Sequence, residues 1–157
     1  MLRRFINHIV TSIKGEMFEL DAKIPLGYLF AFFWGKAWMC FWGMVKLRRI
    51  KRVFVHYSST IKCPDYIQTS NNLSIDRKCH IDALSTNGIV FGCNVSIGKY
   101  TTIECTGSLK ALGYGLKVGN CVGLGTHGFF GCAGGVEIGD DTIFGNFVSL
   151  HSENHNY

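Results

Sequence analysis

An apolar residue returns every six positions along the second half of the chain, most regularly at Val118, Leu124 and Phe130 and again at Ile138, Phe144 and Leu150. Each is followed by Gly or a polar residue. The same beat runs through Phe91, Ile97 and Ile103, reaches back to Ile75 and Ile81, and is approximate at Ile61 and Ile67. A period of six fits neither an amphipathic helix nor an alternating strand, so the repeat itself is the structural unit.

Three short strands forming the sides of a triangular prism satisfy such a period, with about eighteen residues in each coil. The apolar residue of each hexad then points inward. Val95, Thr101, Val122, Gly128, Gly134, Thr142 and Val148 are small or β-branched, as a narrow interior needs near its corners. The Gly after the apolar residue is expected to relieve the corner backbone. Each coil bonds to the next at roughly 4.8 Å, which accounts for its backbone groups without a helix. The expected fold is an all-β solenoid, a parallel β-helix over residues 58 to 157, preceded by a helical leader over residues 1 to 57.

Two interruptions stand out. The step from Ile81 to Phe91 is longer than six, which predicts a corner bulge around Ser85 to Gly88. After Ile103 the excursion GSLKALGYGLK breaks the beat, and Leu109 to Lys117 is read either as a cover over a site or as a surface loop.

The chain has 157 residues and a net charge of +5, one domain with an appendage. Residues 1 to 62 carry eleven Lys and Arg against three acids, and the remainder five against eight. The leader is therefore the basic part. Phe5, Ile6, Ile9, Val10, Ile13, Met17 and Leu20 form a helical stripe. Ile24 to Val45 is apolar and aromatic, with Lys36 as its only charge, and LRRIKR follows closely. Lys36, three glycines and Pro25 disfavour a membrane span. The reading is an interfacial segment, with Trp34, Trp38 and Trp42 at head-group level, in peripheral membrane contact through residues 1 to 57. The other reading is an apolar segment packed on the flank of the solenoid or in a subunit interface. The aromatics form an unbroken block rather than platforms in a basic groove, which argues against nucleic acid.

Seven Cys, with no Cys-x-x-Cys pair, predict free thiols in a reducing compartment. Cys93, Cys105 and Cys132 each stand two places after an apolar hexad residue and so are read as packing residues.

The stretch VEIGDDTIFGNFVSLHSENHNY is similar to the hexapeptide-repeat acyltransferases, a family with a left-handed β-helix that includes maltose, galactoside and serine acetyltransferases and the O-acetyltransferases of polysaccharide synthesis. The resemblance covers residues 73 to 157. It implies a left-handed coil, a homotrimer with sites between prisms, acetyl-CoA as donor and a sugar hydroxyl as acceptor. In the family a His five places after the apolar residue is the general base, which here is His155. An imidazole can take the proton from a hydroxyl as it attacks a thioester carbonyl.

Strand alternation places His151, Glu153 and His155 on one face, where Glu153 would orient the imidazole. The alternative is that Glu153 is a solvated corner residue. His151, Asn154 and His127 are the candidate acceptor contacts. His127 stands where sugar acetyltransferases carry an Asn, and a structural corner histidine is the other reading. The His151, Glu153, His155 spacing also suits zinc, but the repeat context favours acyl transfer, and no metal is expected. Family members continue for further coils beyond the catalytic His, so coenzyme contacts are expected beyond Tyr157, and a chain ending there is expected to be truncated and nearly inactive.

The leading reading is acetylation of a lipid-linked or polysaccharide glycan precursor, in the cytoplasm or at the inner face of the membrane. The alternatives are a soluble acceptor such as serine or a free sugar, and a non-catalytic β-helix scaffold.

Overall fold

The computed structural model describes residues 11, 19–21, 23–48 and 52–153. The helical stripe expected from Phe5 to Leu20 lies almost wholly outside these residues. Two compact units divide the chain, Met1–Gly35 and Lys36–Tyr157.

A 22-residue helix, α1 (Leu26–Leu47), is followed by thirteen short strands. Pro25 stands just before the first helical residue, where its fixed φ and missing N–H cost nothing, and its carbonyl accepts from the Leu29 N–H at 3.2 Å. Arg48, at φ 50°, ends the helix in the left-handed region.

The strands are β1 (Val53–Val55), β2 (Thr60–Lys62), β3 (Ile67–Thr69), β4 (Leu73–Ile75), β5 (His80–Asp82), β6 (Ile89–Phe91), β7 (Ser96–Ile97), β8 (Thr102–Glu104), β9 (Leu116–Val118), β10 (Gly123–Leu124), β11 (Phe129–Gly131), β12 (Val136–Ile138) and β13 (Ser149–His151). They form three parallel sheets, β1-β4-β7-β10, β2-β5-β8-β11-β13 and β3-β6-β9-β12. From β1 to β12 each strand pairs with the third one along, and β13 pairs with β11; the chain is a left-handed parallel β-helix of about four turns, the solenoid expected from the hexads with the hand that the resemblance implies.

The first coil opens at Val53, ahead of the expected boundary at residue 58. Val53 and Val55 are buried and pair with Leu73 and Ile75.

Three apolar columns fill the interior. Val55, Ile75, Ile97 and Leu124 stack in register along one side, and Ile61, Ile81, Ile103, Phe130 and Leu150 along the second. Thr69, Phe91, Val118 and Ile138 form the third. Each fully buried Ile or Phe contributes about 1.5–3 kcal/mol. Phe144 and Leu150, in the last turn, are only partly buried.

Val95, Thr101, Val122 and Gly128 point inward as expected, and a Cβ on Gly128 would sit 2.8 Å from the Phe130 ring. Gly134 is instead exposed. The reason is coil length: stacked partners Asn120 and Asp140 are 20 residues apart, two more than eighteen, and the surplus falls at the corner between β11 and β12.

The glycines after the apolar residues serve a purpose other than the one expected. The left-handed φ values fall on Asn72, Lys78, Asn94, Tyr100, Cys121, His127, Asp141 and Phe147, each the third residue after an inward side chain. Gly92, Gly98, Gly119 and Gly125 are needed for close approach: a Cβ on Gly98, for example, would lie 2.7 Å from the Gly125 carbonyl carbon in the next coil.

The two interruptions stack on each other. Thr86 and Asn87 in the bulge donate backbone N–H bonds to Gly113 and Tyr114 at 2.8 and 3.0 Å. Two insertions thus satisfy one another's polar backbone, outside the three sheets.

Candidate functional site

On the outward face of the five-stranded sheet the third strand positions align as Lys62, Asp82, Glu104, Gly131 and His151. Gly131 leaves a gap in this column between a carboxylate and an imidazole. The gap opens into a concavity of about 590 Å³ lined by Glu104, Gly107, Phe129, Gly131, Ala133, His151, Ser152 and Glu153.

Alternation along β13 and its continuation turns Ser149, His151 and Glu153 outward while Leu150 faces in. His151 is held from two sides. Its Nε2 lies 2.9 Å from the Ser149 hydroxyl, and its ring leans on Phe129 with centroids 5.0 Å apart. When Ser149 accepts that hydrogen bond, Nδ1 carries the free lone pair. A Cβ on Gly131 would sit 3.6 Å from this Nδ1 and 3.2 Å from Phe129 Cε1, so the missing side chain is what exposes the nitrogen.

The far wall is fixed by Ser152. Its hydroxyl donates to the Gly131 carbonyl at 2.9 Å and accepts from the Gly134 N–H at 2.9 Å. A Cβ on Gly134 would collide with the Ser152 carbonyl. The two-residue surplus at the β11–β12 corner thus anchors the chain just after His151.

His151 and Glu153 share the notch. His155 and Asn154, the expected base and one expected acceptor contact, lie outside the described residues. His127 stands apart, on the preceding corner at φ 55°, where its ring stacks between Tyr100 and Phe147 at 4.8 Å from each. Lys78 caps that column 5.7 Å above Tyr100.

The expected cover divides. Gly107 borders the notch and bridges to Leu112, whereas Tyr114 to Lys117 line a second concavity of about 640 Å³. Glu104, Phe129, Gly131 and Ser149 were not singled out from sequence. The signal was the hexad position after the apolar residue, which is Glu at 104 and His at 151 where Gly is usual.

Cys105 and Cys132 lie buried beneath the notch, and the Cys105 thiol and burial together push the Cys132 pKa up, so it stays a protonated packing residue. All seven Cys are free. Among the described residues no group of three His, Cys, Asp or Glu side chains gathers to hold a metal ion. The residues lining the notch include no cation to meet phosphates; Lys117, on the neighbouring face, is paired with Glu137 at 2.5 Å.

Comparison with known protein families, with curated proteins and with solved structures finds no match to this chain.

Proposed function

We propose that this β-helix is an acyltransferase that moves an acetyl group from an acyl thioester, acetyl-CoA by the family resemblance, to a sugar hydroxyl. The observation that carries the reading is the notch at Gly131, where an imidazole held by Ser149 and Phe129 faces an opening flanked by Glu104 and Glu153. A hydroxyl seated there loses its proton to an imidazole as its oxygen attacks the thioester carbonyl. The new C–O bond forms through a tetrahedral oxyanion, the C–S bond breaks, and the thiolate leaves with the proton. His155 is the base by resemblance, and His151 in the notch binds and orients the acceptor. Glu153 stabilises the imidazolium. The Phe129 ring offers a sugar an apolar face.

The acceptor class is a glycan precursor, lipid-linked or soluble. A homotrimer would supply the donor's phosphate contacts from a neighbouring prism.

The test is transfer of radiolabelled acetyl from acetyl-CoA to a panel of hexoses, lipid-linked sugars and serine. Transfer to a sugar, lowered about 10²–10⁴-fold by His155→Ala and at least about tenfold by His151→Ala, supports the proposal. Transfer indifferent to both substitutions removes the notch from the chemistry, and no transfer to any acceptor by a protein that binds acetyl-CoA favours a non-catalytic scaffold.

A further inference from the structure

An amphipathic helix on a protein in water turns its apolar stripe inward and its charges outward. The half of α1 that belongs to the β-helical unit does the reverse. Lys36 donates from Nζ to Ser74 Oγ at 3.3 Å and sits 5.3 Å over the Phe54 ring, so the one charge in the middle of the helix is turned onto the first coil. Lys46 donates to the Tyr57 and Ser59 carbonyls. Gly43 and Leu47 are buried on the same side. On the opposite side Trp38, Phe41 and Val45 follow one another at helical steps and are 49%, 48% and 50% exposed. The Trp38 and Phe41 rings stack at 5.6 Å. The preceding half of the helix carries exposed rings of its own at Phe30 and Trp34.

We infer that this outward aromatic stripe is a docking surface for an anionic lipid bilayer, with α1 lying along the interface. Three observations select lipid as the occupant. Trp and Phe are the side chains that settle at head-group depth. The helix has no acid in its first turn and none in its sequence, while exposed Arg48 and Arg52 stand at its end with Arg49 and Lys51 between them in sequence, a cluster suited to anionic head groups. Arg48 is also 3.7 Å from Asp65, an exposed pair that is weak in water. No helix among the described residues is long and apolar enough to cross a membrane, and an exposed aromatic stripe ending in basic residues is the pattern of a helix that lies in the interface. The inference holds whether or not the notch transfers acyl groups.

Flotation of the full chain with phosphatidylcholine vesicles, with and without phosphatidylglycerol, tests it. The expected result is binding to the anionic vesicles, weakened by salt and lowered at least about tenfold by Trp38→Ser with Phe41→Ser. Leu109→Ser, at a residue 89% exposed elsewhere, leaves binding unchanged. Should the double variant fail to fold by circular dichroism, quenching of the native tryptophans by bromolipids decides. Absence of flotation and quenching, equal binding to neutral vesicles, or equal binding by a folded double variant overturns the inference. So does a vesicle-free oligomer in which the tryptophans are already shielded from acrylamide, which would make a second copy of the chain the occupant.

Discussion

Asp82 and Tyr100 show what single positions on the coil surface contribute. Burial works to raise the Asp82 pKa, but the hydrogen bonds around the carboxylate and the Lys62 ammonium at 3.4 Å more than offset it, and the group ionises below its ordinary range. A depressed folded-state pKa stabilises the fold above the unfolded value and loses that contribution as pH falls through the folded one. Asp82→Asn is therefore expected to cost up to about 1 kcal/mol near neutrality and nothing in acid, read from urea midpoints at several pH values. Tyr100, at φ 59°, holds a sharp corner and stacks on His127. Tyr100→Val is expected to cost about 1–2 kcal/mol, since a β-branched side chain fits the left-handed region poorly, while Tyr100→Asn costs less. The hexads located these corners but not their conformations. An aromatic residue gives no advance sign of positive φ, and here the stack of Lys78, Tyr100, His127 and Phe147 compensates for it.

Helix α1 and the two insertions are the elements whose placement mattered most. Sequence left two readings of the apolar segment of the helical leader, interfacial or packed on the solenoid flank, and its glycines and proline counted against a membrane span. Pro25 precedes the first turn, Gly27 and Gly35 stand in open space and cost only helix propensity, and Gly43 is required where the helix backbone meets the Val53 carbonyl. Gly43→Ala is expected to destabilise the protein by about 1–3 kcal/mol in urea unfolding, although Ala is the better helix former. Had that contact been absent, the substitution would stabilise. The insertions were visible as breaks in the beat. That they answer each other, Thr86 to Gly113 and Asn87 to Tyr114, was not, because pairing between coils depends on register that six-residue spacing alone does not set.

For the whole molecule, the three interior columns set a gradient of order along the axis. Ile103 is fully buried between Ile81 and Phe130, and Ile103→Ala is expected to cost about 2–5 kcal/mol. Leu150, partly buried in the last turn, is expected to cost less on the same substitution, and backbone amides of β13 to exchange faster than those of β8. The columns were legible because a period of six in apolar residues has few other solutions. The notch was less so: its parts, Glu104, Gly131 and His151, lie on three coils, and only stacking brings them into one line. The most direct test of that site is acetyl transfer by Gly131→Val, with Gly131→Ala as a milder step. These side chains fill the gap beside His151 Nδ1 on the outward face, where the nearest atoms to an added Cβ are Phe129 Cε1 at 3.2 Å, the Leu150 carbonyl oxygen at 3.5 Å and Nδ1 at 3.6 Å. The account predicts a folded protein whose transfer to a sugar falls by at least about tenfold with Val and by less with Ala; a folded Gly131→Val that transfers acetyl as fast as the native chain would contradict it.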